Sequence, residues 1–393
     1  AVSFASQTAA PFDVRFTIKG YDQWSVRSST SDSYSVTSGR YSYQSPQLHT
    51  AFLCNLAPLT AYDYAIGNRT STFVTPPAVG SEDAPTVLGV VGDPGDTSDS
   101  SQTLRSLGEA YRGLPTQAIL IAGDYSYANG EHEVWDKWYV PSGVVACFTS
   151  LLKGTTPKKT CLLVCRNSGS TATTKRSRAM ATLQVIRTIG TMQWKHERAV
   201  QLAWLDVDLA GVNRTITPWV VVVKHNPFYN TWMDHQCQCS KHKYVIAPED
   251  AEACWNGQYV SGSPMYEPAC GLQAKFESLF VKYRVNVVIA GHVHGYERTA
   301  PIVNNKINAT HGVVYVTTGA GGNYEGGCGS FAATWTLPPW STRVNNQVYG
   351  AAKVIATGDW LEVLWFANTH GIEPWDAVTL TRREDVDDVA AEG

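Results

Sequence analysis

The stretch VNVVIAGHVHGYER, residues 285–298, decides the fold class. Its first six residues are apolar apart from Asn286 and are dominated by Val and Ile. That pattern suits a strand buried on both faces and covered by helices, not the alternating pattern of a half-wet strand. The run stops abruptly at Gly291-His292-Val293-His294, where residues able to do chemistry replace the apolar ones. Four more runs have the same form. Thr86–Val91 leads into Gly92-Asp93-Pro94-Gly95, and Gln117–Ala122 into Gly123-Asp124-Tyr125-Ser126-Tyr127. Cys161–Val164 leads into Arg166-Asn167-Ser168, and Trp219–Val223 into Lys224-His225-Asn226. With a further run at Gly312–Thr318 and helix-like stretches at Thr103–Tyr111 and Leu272–Tyr283, the chain reads as α/β (α+β). In such folds ligands gather where loops leave the carboxyl ends of strands.

Residues 1 to about 80 follow a different grammar. Short runs at Val14–Ile18, Ser35–Val36, Tyr41–Tyr43, His49–Leu53, Ala61–Ile66 and Ser71–Val74 are separated by turn residues. This predicts a small antiparallel sandwich. Thr75–Pro85 has the Pro and Gly density of a linker, which predicts domains at 1–80 and 84–393.

At 393 residues, 44% hydrophobic and 17% charged, the chain can bury a large core, which excludes disordered and fibrous classes. No apolar run reaches the roughly 18 residues of a membrane-spanning helix, so no membrane partner is expected. A net charge of −3 gives no footprint for nucleic acid. That near-neutrality hides an asymmetry: Trp138 to His196 holds nine Lys and Arg and no Asp or Glu. This window reads as a solvated loop, a basic partner-binding insertion, or a stretch altered by splicing or a shifted frame.

Nine cysteines include Cys237, Cys239, Cys254 and Cys270 within 34 residues, without zinc-finger spacing. That favours paired disulfides over a structural zinc drawing on His235 and His242. Three glycosylation acceptors, Asn68, Asn213 and Asn308, agree with a secreted, extracellular protein whose signal peptide has been removed before Ala1.

Asp93, Asp124, Tyr127, Asn167, His225, His292 and His294 all stand at strand ends. Such mixed oxygen and nitrogen donors suit Zn, Mn or Fe, whereas an all-oxygen set would suit Ca or Mg. Seven ligands exceed one tetrahedral site. They suit two ions about 3.5–4 Å apart, which clamp the attacking and leaving oxygens of an in-line phosphoryl displacement.

The order Asp-x-Gly, Gly-Asp-x-x-Tyr, Asn, Val-x-x-His, Gly-His-x-His resembles the purple acid phosphatases, a branch of the metallophosphoesterases. Further matches are Trp135-Asp136-Lys137-Trp138, Pro227-Phe-Tyr-Asn230 and Gly295-Tyr-Glu-Arg298. The resemblance implies two mixed sheets flanked by helices at 84–393, preceded by a fibronectin III-like domain at 1–80 that lacks its first strand. It implies a metal-dependent acid phosphatase acting on phosphate monoesters, inositol phosphates among them, through a metal-bound hydroxide. Fe(3+) would take Asp93, Asp124, Tyr127 and His294. A divalent Zn, Mn or Fe would take the bridging Asp124 with Asn167, His225 and His292. His235 would contact the phosphate or protonate the leaving group. The third motif departs from the family pattern, with Cys165-Arg166-Asn167-Ser168 in place of Gly-Asn-His-Glu. A phosphodiesterase or nucleotide-type enzyme with the same core, or a catalytically impaired metal- or phosphate-binding member, are the alternatives.

Overall fold

The structure, a computed structural model, describes residues 1–78, 84–139, 183–187, 196–232, 270–327 and 337–382. The first 74 residues are all strand and turn. Their strands are β1 (Val2–Ser6), β2 (Asp13–Ile18), β3 (Ser25–Ser28), β4 (Thr30–Asp32), β5 (Ser35–Ser38), β6 (Tyr41–Gln44), β7 (Gln47–Ala51), β8 (Ala61–Ile66) and β9 (Arg69–Val74). They form a sheet β1-β7-β4, a sheet β3-β2-β8-β9 and the hairpin β5-β6, antiparallel throughout. Between the two larger sheets lies a core of Val14, Phe16, Ala51, Leu53, Tyr62 and Tyr64. The chain opens on β1, which is not among the runs legible in the sequence.

The remainder is built on two sheets. In the first are β10 (Thr86–Val91), β11 (Ala118–Ile121), β20 (Gly350–Ala356), β21 (Trp360–Ala367) and β22 (Asp376–Thr381), in the order β11-β10-β20-β21-β22. In the second are β12 (Leu183–Arg187), β13 (Trp219–Lys224), β14 (Val287–Ala290), β15 (Tyr296–Thr299), β18 (Val314–Thr318) and β19 (Ser341–Asn345). Their order is β12-β13-β14-β18-β15-β19. A small hairpin, β16 (Ile302–Val303) with β17 (Lys306–Ile307), lies between β15 and β18. Parallel pairing joins β12 to β13, β13 to β14, β14 to β18 and β10 to β11, so four strand ends with candidate residues point the same way within their sheets.

The sequence of β13, Trp-Val-Val-Val-Val, shows why the layers stack. Trp219, Val221 and Val223 join the core between the two sheets, with Leu88, Val90, Ile289, Val354, Val363 and Trp365. Val220 and Val222 face the other way, onto Leu205, Leu209, Phe276 and Phe280. Those four belong to helices α3 (His196–Ala210) and α4 (Cys270–Lys282). On the outer face of the first sheet Leu104 and Leu107 of α1 (Ser98–Gly108) pack on Val91, Ile119 and Ala351. The result is helix, sheet, sheet, helix, as the doubly buried runs require.

Helix α1 begins five residues earlier than Thr103, where helical periodicity becomes visible. Its first turn, Ser98-Asp99-Ser100-Ser101, is made of weak helix formers, and a capping box starts it. The Thr97 hydroxyl accepts the Ser100 N–H, and the Ser100 hydroxyl accepts the Thr97 N–H. It ends at Gly108, and Tyr111 is drawn into a bridge with Leu114. Cys54 is disulfide-bonded. Cys237, Cys239 and Cys254 lie outside the described residues, as does the basic window apart from Trp138, Tyr139, β12 and His196.

Two buried glutamates give the fold a pH dependence. Glu297 accepts the Thr231 N–H at 2.7 Å and the Ser341 hydroxyl at 2.6 Å, and burial pushes its carboxyl up to about 8. Glu277 accepts the Tyr229 hydroxyl at 2.7 Å, and burial pushes it up to about 7. Both values lie above the ordinary 4.5, so from pH 4.5 upward the unfolded chain gives up protons that the folded chain keeps. Stability is then fullest below the ordinary value and falls as pH rises through the folded values, by a few kcal/mol for each group at most. The denaturant midpoint is expected to fall between about pH 5 and about pH 7.5, and Glu297→Gln is expected to flatten the slope. A midpoint that climbs over this interval would contradict the assignment.

Candidate metal centre

Four loops and the carboxyl ends of β10, β11, β13 and β14 converge on one place. Asp93 follows β10 and is 0% exposed. Its Oδ2 accepts the His292 N–H at 2.5 Å, and its Oδ1 accepts the Tyr127 hydroxyl at 3.2 Å. Asp124 follows β11 and lies with Oδ1 3.5 Å from His225 Nε2. Ligand atoms of Asp93, Asp124 and His225, one from each, fall within 4.8 Å of one another. The His225 and His292 rings lie 4.9 Å apart, and the Tyr127 hydroxyl is 2.8 Å from His294 Nε2. Asp93, Asp124, Tyr127, His225, His292 and His294 are thus linked through direct contacts.

Two of the histidines are oriented by backbone. His225 Nδ1 lies 2.8 Å from the Ala122 carbonyl, and His294 Nδ1 lies 3.0 Å from the Gly326 carbonyl. A carbonyl can only accept, so in each ring Nδ1 carries a proton and Nε2 is the nitrogen presented to the site, a donor to a carboxylate while protonated and a lone pair for a metal once it is not. Four of the six residues sit in the left-handed region: Asp93 at φ +53°, Asp124 at +36°, Tyr127 at +54° and His292 at +67°. Each such residue costs on the order of 1–3 kcal/mol and persists only where its surroundings hold it. Close approach of the loops needs glycine, as at Gly123 and Gly291. A Cβ at Gly123 would lie 2.1 Å from His225 Nδ1, and one at Gly291 would lie 2.5 Å from Asp93 Oδ2.

The electrostatics call for a cation. Burial pushes the Asp93 carboxyl up to about 7, against the pull of His225 and with the help of the Asp124 charge. The His225 hydrogen bond holds Asp124 below the usual carboxylate range. Burial disfavours the His225 imidazolium, yet Asp124 and Asp93 hold it above the usual histidine value. Burial, then the Asp93 and Asp124 charges, push the Tyr127 phenol far above its ordinary value. Ionising Asp93 and Tyr127 beside an already ionised Asp124 is costly unless a cation neutralises them. The donor set therefore fits bound metal.

Sequence reasoning missed a sixth loop. Gly319-Ala-Gly-Gly-Asn323 follows β18 and closes the site from the far side. Asn323, 2% exposed, donates from Nδ2 to the Asp93 carbonyl at 2.9 Å and accepts the Glu325 N–H at 2.9 Å. The Thr97 hydroxyl donates to the Gly322 carbonyl, tying this loop to the start of α1. Its small residues carry no chemistry of their own; the one available signal is its position at a strand end. Asn167 and His235 lie outside the described residues.

Purple acid phosphatase 5 of Arabidopsis thaliana is 31% identical over 327 residues, which cover 77% of this chain and 72% of that protein. The chain belongs to the purple acid phosphatase family. Residues 312–373 match the family model described as iron/zinc purple acid phosphatase-like protein C. The chain is also 31% identical over 334 residues to a protein named Fe(3+)-Zn(2+) purple acid phosphatase 12 of Arabidopsis thaliana, of whose length it spans 61%. The solved purple acid phosphatase PPD1 from yellow lupin seeds shares the fold. Its TM-score is 0.67 at 18% identity, covering 97% of this chain and 71% of that one.

Proposed function

We propose that this chain is a metal-dependent phosphoric monoester hydrolase acting at acidic pH on small phosphate monoesters, with inositol phosphates in that class. Fe(3+) and a divalent Zn, Mn or Fe are the metals that its donors suit. Tyr127, Asp93 and His294 would hold the first, His225 and His292 the second, and Asp124 both, with Asn167 as a further ligand to the divalent ion. When bound, two metals supply Lewis-acid activation of water and neutralise charge on the phosphoryl oxygens. The observation that carries this reading is the Tyr127 hydroxyl, 2.8 Å from His294 Nε2 and 3.2 Å from Asp93 Oδ1. A part-buried phenol set among carboxylate and imidazole donors suits a strongly Lewis-acidic ion.

The chain's own residues prepare the site. Ala122 and Gly326 orient the rings of His225 and His294, and the His292 N–H and the Asn323 amide fix both ends of Asp93. His235 is proposed to protonate the leaving oxygen. Domains at 1–80, fibronectin III-like, and at 84–393, catalytic, complete the proposal. Secretion is supported by the glycosylation acceptors Asn68 and Asn213, both exposed, and Asn308, part-exposed.

The test is turnover. Protein supplied with iron and zinc is expected to hydrolyse para-nitrophenyl phosphate at about pH 5 faster than bis(para-nitrophenyl) phosphate. Preference for the diester would overturn the monoesterase reading, and turnover of neither by metal-loaded protein would leave a silent metal-binding member.

A further inference from the structure

The loops of Asp93 and Asp124 are braced from outside by the N-terminal strands. Helix α2 (Glu133–Tyr139) begins six residues after Tyr127. Its Trp138 Nε1 donates to the Gly95 carbonyl at 2.9 Å, and the Gly95 N–H donates to the Tyr125 carbonyl at 2.9 Å. Tyr125 also packs against Trp135 and Trp138, at ring distances of 6.2 Å and 5.8 Å. Gly95 lies two residues after Asp93, and Tyr125 lies between Asp124 and Tyr127. Where α2 sits therefore sets where two ligand loops sit together.

The hairpin β5-β6 grips the start of this helix. The Tyr41 hydroxyl accepts the His132 N–H at 2.6 Å and donates to Glu133 Oε2 at 2.8 Å. The Tyr43 hydroxyl lies 2.9 Å and 3.0 Å from the two oxygens of Asp136. The Tyr43 and His132 rings stack at 5.4 Å, and the Tyr34 hydroxyl lies 3.1 Å from His132 Nδ1. The hydroxyls of Tyr34, Tyr41 and Tyr43 are all spent on the stretch from His132 to Asp136 that opens one short helix, and those of Tyr41 and Tyr43 are aimed at its carboxylates.

We infer that Tyr41 and Tyr43 are positioning residues for the metal centre, holding α2 and through it the Asp93 and Asp124 loops at the spacing that retains the metals. This rests on the two-metal reading above. Partners that orient ligands commonly govern metal affinity by about 10–100-fold. Tyr43→Phe keeps the ring and its stacking and removes only the hydroxyl. Tyr62→Phe is the control. It too removes a hydroxyl from the N-terminal strands, one that accepts the Ala57 N–H at 2.9 Å, away from α2.

The experiment loads wild type, Tyr43→Phe and Tyr62→Phe with iron, challenges each with an iron chelator, and follows the visible absorption band alongside the unfolding temperature. Tyr43→Phe is expected to lose the band about tenfold faster than wild type, while Tyr62→Phe keeps the wild-type rate. Equal loss rates for Tyr43→Phe and wild type, or for the two variants, would overturn the inference and leave the hairpin as packing alone. A wild-type protein that takes up iron with no visible band would instead sink the assignment of Tyr127, and this inference with it.

Discussion

Asp124→Asn is expected to lower kcat/KM on an aryl phosphate by at least about 10³-fold, with the fold unchanged. The estimate follows from what two metals contribute, several kcal/mol of transition-state charge stabilisation, at about 1.36 kcal/mol for each factor of ten. Asp124 belongs to the group whose ligand atoms fall within 4.8 Å of one another, and its Oδ1 faces His225 Nε2 at 3.5 Å. Asparagine keeps the shape and one oxygen but loses the charge that both metals would share. Steady-state kinetics and metal analysis of the same sample check it. A variant with wild-type metal content and less than about a tenfold loss would show that Asp124 does not join the two ions.

Gly123→Ala is expected to abolish activity by a different route, through shape. The new methyl would stand 2.1 Å from His225 Nδ1 and 2.6 Å from its Cγ, at a backbone φ of +105°. Strain and overpacking together cost roughly 2–6 kcal/mol. The least costly relief is to turn His225 away from the Ala122 carbonyl, which takes Nε2 away from Asp124 and the site. Gly113→Ala separates the two causes, since Gly113 has φ +76° with nothing within 4 Å of an added Cβ. Denaturant unfolding should find both variants destabilised, Gly123→Ala more so, while only Gly123→Ala loses metal and turnover. Full activity in Gly123→Ala would mean that His225 does not depend on that loop.

These two residues also mark how much the sequence makes legible. Trp219–Val223 and Val285–Ala290 announce doubly buried strands, because runs this short, rich in β-branched residues and all but free of polar ones, suit a strand covered on both faces. The residues after those runs announce chemistry, because Asp, His and Tyr at successive strand ends have a donor set in common. What stays hidden has a physical reason in each case. Strand β3 (Ser25–Ser28) is exposed along its whole length, so no hydrophobic pattern marks it. The start of α1 rests on reciprocal Thr97 and Ser100 hydroxyls where propensity is poor. Asn323 reaches the Asp93 carbonyl across 230 residues of chain, and Tyr43 reaches Asp136 across 93. Only the assembled sheets bring such pairs together, and neither residue carries a local signal of its partner.

The most direct test of the central claim, a two-metal site with a tyrosine ligand, is the visible spectrum of the iron-loaded protein beside that of Tyr127→Phe. The Tyr127 hydroxyl sits on His294 and Asp93, where a phenolate bound to ferric iron would give a broad charge-transfer band. The account predicts a coloured wild-type protein, and a Tyr127→Phe variant that keeps its far-ultraviolet circular dichroism and loses the band. An iron-replete wild type with no band, or a band that survives Tyr127→Phe, would contradict it.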